Sequence, residues 1–442
     1  MHAIVLSIGD ELVLGQTVDS NAAYLSARLA RMGIPTLLHH TVADDFDVIV
    51  EIIGDAAKRA DLVLITGGLG PTEDDLTREA IARAMGVEQS LHDDSLRMIE
   101  AFFQKRGKKM PERNRVQAML PDTAEAVPNH HGTAPGVRAR LHKAVVYAMP
   151  GVPREMVRMF EDRIENEVRA FAGRGVILTT KVNTFGAGES DVGETLGELM
   201  QRDRNPKVGT TVAQGICSVR VRSEFDTEEE ARQRLDATVR EVEQALGPIV
   251  FGRDDATLPE AVVHLLAERG RTVAVAESCT GGLLGGALTE ISGASEVFAG
   301  GVITYSNELK RDLLGVGEDL LERYGAVSAE VARGMARGVV ERVGGDVGVS
   351  ISGIAGPGGG TEDKPVGTVF VALASRDRVE AGQEPPVMRL QLGGSRTAIR
   401  DRTVKSALQM LRLYTLGEPL DAVTWGQPIP AAISAPHEPR TA

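Results

Sequence analysis

The chain has few cysteines, few aromatic residues and no excess of positive charge. Its 442 residues include only Cys217 and Cys279 as cysteines, so neither a disulfide framework nor a zinc-binding cysteine cluster is expected. Aromatic residues make up 4% of the chain, so the hydrophobic cores must be built from Val, Leu, Ile and Ala. A formal net charge of −13 argues against broad binding to nucleic acid or anionic membranes. Small phosphorylated ligands remain compatible with this charge.

Long hydrophobic runs are also absent from the sequence. The N-terminal stretch MHAIVLSIGDELVLG turns acidic after a few apolar residues and lacks the basic start of a signal peptide. No run approaches the roughly 20 apolar residues that a membrane-spanning helix needs. We therefore expect a cytoplasmic protein whose partners are small molecules, with no direct nucleic-acid or membrane partner.

Alternating strand and helix patterns predict an α/β fold over the first 170 residues. Apolar segments interrupted by amphipathic ones are typical of a mainly parallel sheet that is covered on both faces. The predicted strands are 2–9, 34–42, 61–68 and 144–153, and the predicted helices are 20–33 (capped by Ser20), 45–60, 74–86 and 154–171.

The remaining sequence predicts two further structured domains and a tail. Residues 176–250 have the pattern of a small α+β unit, in which the GAGES loop at 186–190 is a strand-to-helix turn. A second α/β unit follows a linker at 251–258. The proline-containing end of the chain predicts disorder. The predicted domains are 1–172, 173–252, 257–416 and a disordered tail at 417–442.

Two loops of the N-terminal domain predict a phosphate site, SIGDELVLGQTVDSN (7–21) and TGGLGPTEDDLT (66–77). Glycines after a buried strand let the backbone approach a ligand, and the next helix N-terminus favours a phosphate. Asp74 and Asp75 either hold a divalent cation or simply favour the helix N-terminus. Asp10 and Glu11 on the other loop favour the metal interpretation. Without a Walker lysine, kinase or ATPase chemistry is disfavoured.

The motifs GDELVLGQTVDSN, TVADD, GGLGPTEDDLT and MPGVPREM, in this order, resemble the molybdopterin-binding fold as it occurs in CinA, the competence/damage-inducible protein A family. The resemblance implies a pyrophosphatase acting on ADP-ribose, with a divalent metal of unknown identity held by carboxylates. Leu69 stands where molybdenum-cofactor enzymes of this fold have Thr, which argues against pterin binding. The implied pocket residues are Asp10, Glu11, Asp44, Gly67, Gly68, Gly70, Thr72 and Thr77, with Asp74 and Asp75 at the metal.

A second candidate site lies in VAVAESCTGGLLGGAL (273–288), where an apolar strand ends at three possible nucleophiles. Taken alone, Ser278 or Thr280 is a helix N-cap and Cys279 a core residue. Lys310, in GGVITYSNELKRDLLG, is either a surface charge or a general base whose pKa is lowered by burial. The glycine-rich SISGIAGPGGGTEDKPVGT (350–368) offers backbone amides to an anion. Arg396 and Arg400 form either a phosphate site or a solvated basic face.

These segments, at AESCTGG, VITYSNELK, GAVS, SISGIAGPGGG, KPVGTV and SR…R, are similar to the C-terminal domain of CinA. The resemblance implies a nicotinamide mononucleotide amidohydrolase of pyridine-nucleotide recycling that needs no cofactor. In the mechanism we predict, Ser278 is the nucleophile, Lys310 the base and Tyr305 an aid to proton transfer or positioning. Cys279 is predicted to be a buried structural thiol. The predicted substrate-binding residues are Thr280, Gly281, Gly282, Asn307, Ser352, Gly353, Gly356, Arg396 and Arg400.

Two other functions remain open at this point. A regulatory protein that senses nucleotides, or one linked to competence and DNA damage, would use the same pockets for binding only. A molybdopterin-binding protein would use the loop at 66–77. The apolar, glycine-rich helix predicted at 281–291 indicates self-association, and we expect a homodimer.

Overall fold

The computed structural model describes residues 1–172 and 175–430. The chain folds into two compact units, one of Met1–Leu178 with Arg222–Leu235 and one of Thr179–Val221 with the chain from Asp236 onward. The predicted α/β class is confirmed, with two six-stranded sheets, one four-stranded sheet and one two-stranded sheet in the described residues. None of the described helices combines the length and the apolar character needed to span a bilayer.

The N-terminal domain is a six-stranded sheet with helices on both faces. Its strand order is β2-β1-β3-β8-β7-β6; β2, β1, β3 and β8 are parallel, and β7 and β6 antiparallel. The strands are Ala3–Ile8 (β1), Thr36–Val42 (β2), Leu62–Thr66 (β3), Gln89–Leu91 (β4), Met119–Pro121 (β5), Glu125–Val127 (β6), Gly136–Leu141 (β7) and Ala144–Met149 (β8). Of these, β4 and β5 pair antiparallel with each other as a separate two-stranded sheet. The helices are Asp10–Val13 (α1), Ser20–Arg31 (α2), Phe46–Arg59 (α3), Thr77–Met85 (α4), Asp93–Gln104 (α5), Pro153–Met159 (α6) and Glu165–Phe171 (α7), the last two joined by a π-helical segment.

Strand register explains why the predicted loops meet in this domain. Ile8 pairs with Val42, and Thr66 pairs with both Ser7 and Met149, so four parallel strands end at one edge of the sheet. The loops after β1, β2, β3 and β8 therefore lie together, as is usual for ligand sites in open α/β sheets. β1, β3 and β8 are buried throughout because helices cover both of their faces.

Two local predictions in this domain were wrong. Asp19, not Ser20, caps α2, because its carboxylate accepts the Ala22 N–H at 3.0 Å from the position before the first helical residue. The helix predicted from residue 74 begins at Thr77, so Asp74 and Asp75 belong to the loop that precedes it.

The middle segment forms a four-stranded sheet in the order β10-β11-β9-β12. Its elements are Val176–Thr184 (β9), Lys207–Ala213 (β10), Ile216–Phe225 (β11), Val250–Arg253 (β12), Glu189–Leu196 (α8) and Glu228–Leu246 (α9). The predicted strand-to-helix turn at 186–190 leads from β9 into α8, which already begins at Glu189. The linker predicted at 251–258 was wrong in its first part: Phe251 is buried, and β12 pairs antiparallel with β9. The boundary predicted after residue 172 falls at residues 173 and 174, outside the described chain.

The C-terminal domain is a second six-stranded sheet, ordered β14-β13-β15-β16-β17-β18, in which β14, β13 and β15 are parallel. α14 covers one face through Val331, Met335 and Val339, whereas α10, α11 and α16 pack on the other. The strands are Val273–Glu277 (β13), Phe298–Ile303 (β14), Val347–Gly353 (β15), Thr368–Ser375 (β16), Val387–Gln391 (β17) and Gly426–Ile429 (β18). The helices are Leu258–Glu268 (α10), Leu283–Thr289 (α11), Asn307–Leu314 (α12), Glu318–Tyr324 (α13), Ala329–Arg342 (α14), Arg376–Glu380 (α15) and Arg396–Leu416 (α16).

The prediction that the chain is disordered from residue 417 was wrong for residues 417–430. Val423 is fully buried, and β18 pairs antiparallel with β17 along the sheet edge. The four residues of β18 show no alternation of apolar and polar side chains. The strand is therefore ordered by its pairing with β17. The rest of the predicted tail, residues 431–442, lies outside the described residues.

Candidate functional site

Ser278 and Lys310 lie together at the edge of the C-terminal sheet. Glu277, the last residue of β13, pairs with Ile303 of β14, so Ser278 and the segment after β14 meet at one edge. Ser306 caps α12, and Lys310 in its first turns places Nζ 3.3 Å from Ser278 Oγ. The same Nζ donates to the carbonyl oxygens of Thr304 at 2.7 Å and Tyr305 at 3.4 Å.

Burial shifts the protonation equilibrium of Lys310 toward the neutral amine. The residue is 1% exposed, and burial lowers the pKa of its ammonium group. In the described part of the chain no carboxylate forms an ion pair with Lys310 to offset that burial. A buried lysine beside a serine hydroxyl can accept the proton of that hydroxyl, which is the arrangement of a Ser–Lys nucleophile pair.

Glu277 belongs to the candidate site, and the sequence reasoning missed it. It is 1% exposed, and its carboxylate accepts the N–H groups of Gly282 at 3.0 Å, Leu284 at 3.1 Å and Gly285 at 2.8 Å. These bonds satisfy the free donors at the start of α11 and fix the loop that carries Ser278. The available signal was a carboxylate at the end of an otherwise apolar strand.

The loop after Ser278 leaves two backbone donors for a ligand. Gly281 and Gly282 adopt φ values of +59° and +95°, which only glycine adopts without strain. Within the described residues the N–H group of Thr280 donates to no protein acceptor, and that of Cys279 contacts only its own thiol. The amide that follows a nucleophile is a common oxyanion donor, so these two groups are candidates for that function.

Cys279 and Thr280 direct their side chains into the protein. Cys279 is 6% exposed, and burial raises the pKa of its thiol to about 11, as expected for a structural cysteine rather than a nucleophile. Thr280 is fully buried and its hydroxyl has no partner among the described residues. The substrate contact predicted for Thr280 stays a prediction.

The two arginines of α16 differ in what they contact. Arg400 donates to the carbonyl oxygens of Cys279 at 3.0 Å and Thr280 at 2.6 Å. Arg396 donates to the carbonyl oxygen of Gly356 at 2.7 Å and to the hydroxyl of Tyr305 at 3.2 Å. Tyr305 is 61% exposed, so the Arg396–Tyr305 pair lies at the open side of the site.

The other predicted substrate-binding residues occupy the loop edges. The hydroxyl of Ser352 is buried and donates to Ala326 O at 2.6 Å, so it stabilises the domain rather than facing a ligand. Gly353 allows close packing, since a Cβ there would lie 2.7 Å from a methyl group of Val369. Gly356 receives Arg396, and Asn307 is exposed at the first position of α12.

The N-terminal site is a cavity of about 420 Å³ at the carboxyl ends of the parallel strands. Seven of the predicted residues line it: Glu11, Asp44, Gly67, Gly68, Gly70, Asp74 and Asp75. Asp10, Thr72 and Thr77 are not among the lining residues; Asp10 and Thr72 are exposed, and Thr77 is buried. Thr77 donates its hydroxyl to Gly67 O at 2.8 Å, and the backbone N–H of Asp10 donates to the Asp44 carboxylate at 2.9 Å.

Charged residues hold the glycine loop of this cavity. Asp75 accepts the N–H groups of Gly70 at 2.6 Å and Thr72 at 2.9 Å. Arg78, which the sequence reasoning missed, is 3% exposed and donates to the carbonyl oxygens of Leu69 at 2.5 Å and Gly70 at 2.8 Å. Burial lowers the pKa of Arg78 to about 10. The side chain of Leu69 is itself buried in the hydrophobic core.

The carboxylates of the cavity fit a metal that is shared with a ligand. Burial raises the pKa of Asp44, and the neighbouring charges of Asp10, Asp74 and Glu11 add to this effect. No three His, Cys, Asp or Glu residues in the described ranges form a group that could enclose a metal ion. Magnesium is usually held by one or two carboxylates together with substrate phosphates, and the oxygen donors present here suit that mode.

Three known domain families together match nearly the whole chain. A "Probable molybdopterin binding domain" matches residues 4–170, a "Damage-inducible protein CinA KH domain" residues 179–252, and a "CinA C-terminal domain" residues 255–415. A CinA-like protein of Dictyoglomus thermophilum is 39% identical over 412 residues, which cover 93% of this chain and 98% of the relative. A relative from Symbiobacterium thermophilum is 41% identical over 423 residues, or 94% and 99% of the two chains.

Among solved structures, the competence/damage inducible protein CihA of Agrobacterium tumefaciens is 44% identical. It covers 35% of this chain and 91% of its own length, with a TM-score of 0.33. From the three domain matches and the full-length relatives, we conclude that the chain belongs to the CinA family.

Proposed function

We propose that the C-terminal domain is an amidohydrolase that converts nicotinamide mononucleotide and water to nicotinate mononucleotide and ammonia. The observation that supports this most directly is the buried Lys310 amine 3.3 Å from Ser278 Oγ. A neutral amine has two N–H donors and one lone pair. With its donors on the carbonyl oxygens of Thr304 and Tyr305, the lone pair is left for the hydroxyl proton of Ser278.

The reaction follows from this arrangement in two stages. Ser278 Oγ attacks the carboxamide carbon while its proton passes to Lys310, and the amides of Cys279 and Thr280 bind the oxyanion. Collapse of the intermediate breaks the C–N bond, and Lys310 returns the proton to the departing ammonia. Water then attacks the acyl-enzyme ester while Lys310 accepts one of its protons. The bond between Ser278 Oγ and the acyl carbon breaks as Lys310 returns that proton to Ser278 Oγ, and the released acid loses its proton to solvent as nicotinate mononucleotide.

We assign the 5′-phosphate of the substrate to Arg396 and the amides of the glycine loop. Arg396 lies at the open side beside the exposed Tyr305, where a guanidinium can exchange a neutral partner for a charged one. Arg400 already donates to two carbonyl oxygens, so its contribution is to hold the loop of Ser278. Arg396→Gln should therefore raise KM, whereas Arg400→Gln should lower kcat.

The test is ammonia release from nicotinamide mononucleotide. We expect release by the wild type and losses of about 1,000-fold or more for Ser278→Ala and for Lys310→Met. Cys279→Ala is the matched control and should keep its activity. No release by the wild type would refute the deamidase, and full activity in Ser278→Ala would refute the nucleophile.

For the N-terminal domain we propose a metal-dependent ADP-ribose pyrophosphatase. The cavity supports this by combining a glycine loop for phosphates with oxygen donors from Glu11, Asp44 and Asp74. The metal would supply charge neutralisation and an activated water. Within the chain, Asp75 and Arg78 hold the loop in shape, and Asp44 can hold a proton or a cation at the cavity wall.

Hydrolysis of ADP-ribose to AMP and ribose 5-phosphate tests this second activity. AMP formation should stop in EDTA, return with added divalent metal and fall in Asp44→Asn. Ser278→Ala should leave it unchanged, so each variant is the control for the other domain. AMP formation that does not respond to EDTA would contradict the carboxylate site.

Binding experiments with the same protein distinguish two alternative functions from the proposed one. A nucleotide sensor would bind these ligands without turnover, and a pterin-binding protein would bind molybdopterin at the loop containing Leu69. Self-association through the helix after Ser278 remains a proposal. Sedimentation of the full chain tests it, and a mass of one chain would contradict it.

A further inference from the structure

A second cavity of about 470 Å³ adjoins the N-terminal site and has the opposite charge. We call it the cationic recess; it is lined by Phe102, Lys105, Arg106, His130, His131, Val152, Arg154 and Glu155. We propose that the cationic recess is a subsite for an additional phosphate group of the nucleotide bound in the N-terminal cavity. This proposal rests on the nucleotide function proposed above for that cavity.

The charge of the recess stands out against the rest of the chain. The protein carries a net charge of −13, yet four of the five residues at 105–109 are basic. In the described part of the chain Lys105, Arg106 and Arg154 form no ion pair with any carboxylate. These cations come from two separate elements, since Lys105 and Arg106 follow the last residue of α5 and Arg154 lies in α6, and the 130–131 loop adds two imidazole rings to the lining.

Local contacts hold the recess in a defined shape. The Cζ atom of Arg106 lies 3.7 Å from the centre of the Phe102 ring. This stacking restricts the arginine side chain, but it does not occupy the N–H donors, which lie in the plane of the guanidinium group. Asn129, 2% exposed, accepts the N–H groups of His131 at 3.0 Å and Gly132 at 2.9 Å. The loop that presents His130 and His131 is therefore ordered before any ligand arrives.

The recess is continuous with the nucleotide cavity. Val152 and Glu155 line both of them. Glu155 accepts a hydrogen bond from Asn129 at 2.7 Å, so the boundary between the two cavities is itself fixed. Carboxylates on one side and cations on the other suit a ligand with a metal-bridged diphosphate and a separate phosphomonoester. The ligand class is thus a nucleoside diphosphate ester that carries a further phosphate.

The test compares two probes that differ by one phosphate group, ADP-ribose and ADP-ribose 2′-phosphate. Their Kd values are measured calorimetrically with the full chain in EDTA, which withholds the metal that hydrolysis needs. We expect the wild type to bind the phosphorylated probe about 10-fold or more tightly than ADP-ribose, since charge-assisted bonds to phosphate are strong. The ratio should fall to about 1 in the Arg106→Gln/Arg154→Gln double variant.

A matched control removes equal charge outside the recess. Lys108→Gln/Lys109→Gln alters the same basic run but no lining residue, and it should keep the ratio. Equal binding of both probes by the wild type would overturn the subsite and leave the pyrophosphatase intact. Binding of the phosphorylated probe alone would support the subsite. Binding of neither probe would overturn the subsite, whereas the pyrophosphatase, whose metal EDTA removes, is decided separately by AMP formation. An equal loss of the ratio in the control variant would also overturn the subsite.

Discussion

Replacing Glu277 by Gln tests whether one buried carboxylate organises the C-terminal site. The carboxylate accepts three N–H groups, two on Oε2 and one on Oε1. An amide oxygen in place of Oε2 keeps two bonds without their charge, and the amide nitrogen then meets the donor of Gly285. Charge-assisted bonds contribute about 1.5–3 kcal/mol each and neutral ones about 0.5–1.5 kcal/mol, and an unsatisfied donor costs about 1–3 kcal/mol. The middle of these ranges gives about 2.5 kcal/mol for the two weakened bonds and about 2 kcal/mol for the unsatisfied donor, so we expect a loss of about 4–5 kcal/mol.

Trp425 provides the stability assay, because this single tryptophan packs against the core of the unit that contains Ser278. Denaturant unfolding monitored by Trp425 fluorescence should show the lower free energy of unfolding. Ammonia release should fall about 100-fold, since a displacement of the Ser278 loop by about 1 Å is enough for that effect. Glu290→Gln, an exposed change in the same domain, should alter neither quantity. Wild-type stability and activity in Glu277→Gln would refute the positioning argument.

Four further outcomes follow from the contacts. Because burial lowers the pKa of Lys310, kcat for ammonia release should rise with pH through that pKa and then level; a flat profile would argue against a lysine base. Since the folded pKa lies below the unfolded value near 10.5, the free energy of unfolding of wild type relative to Lys310→Met should rise with pH through the same window and level above about 10.5, as urea titrations at several pH values would show. Cys279, with a pKa of about 11, should resist iodoacetamide at pH 7 in the folded protein, and rapid labelling would contradict its burial. Arg78→Met should cost about 2–4 kcal/mol of stability, because two buried carbonyl oxygens lose a charged donor; an unchanged urea midpoint would refute this.

Sequence patterns were sufficient to predict the strands and loops that form because of their own residues. The strands at β1, β3 and β13 are apolar runs, and the residues after them were recognised as loops at the sheet edge. What the patterns did not contain is the distance between segments: Ser278 meets Lys310 because Glu277 pairs with Ile303 across two parallel strands. β18 was missed for the same reason, since its order comes from β17.

Some charged residues of the two sites satisfy the backbone groups of a glycine loop. Such a loop exposes donors and acceptors that regular structure would satisfy, so it needs charged side chains of its own. Asp75 takes amide groups and Arg78 takes carbonyl oxygens in the N-terminal loop. Glu277 and Arg400 do the same in the loop of Ser278.

It follows that a charged residue beside a glycine loop is first a candidate for holding that loop. Asp75 and Arg400 were predicted to contact ligands because carboxylates suit metals and guanidinium groups suit phosphates. Because these two side chains already form hydrogen bonds within the chain, fewer of their donor or acceptor atoms are free to bind a ligand. The groups with most left to offer are the Lys310 lone pair, the amides of Cys279 and Thr280, and the carboxylates of Glu11 and Asp44. Substitutions at the first kind of residue should reduce stability and kcat together, whereas substitutions at the second should reduce turnover or affinity in a protein that remains folded.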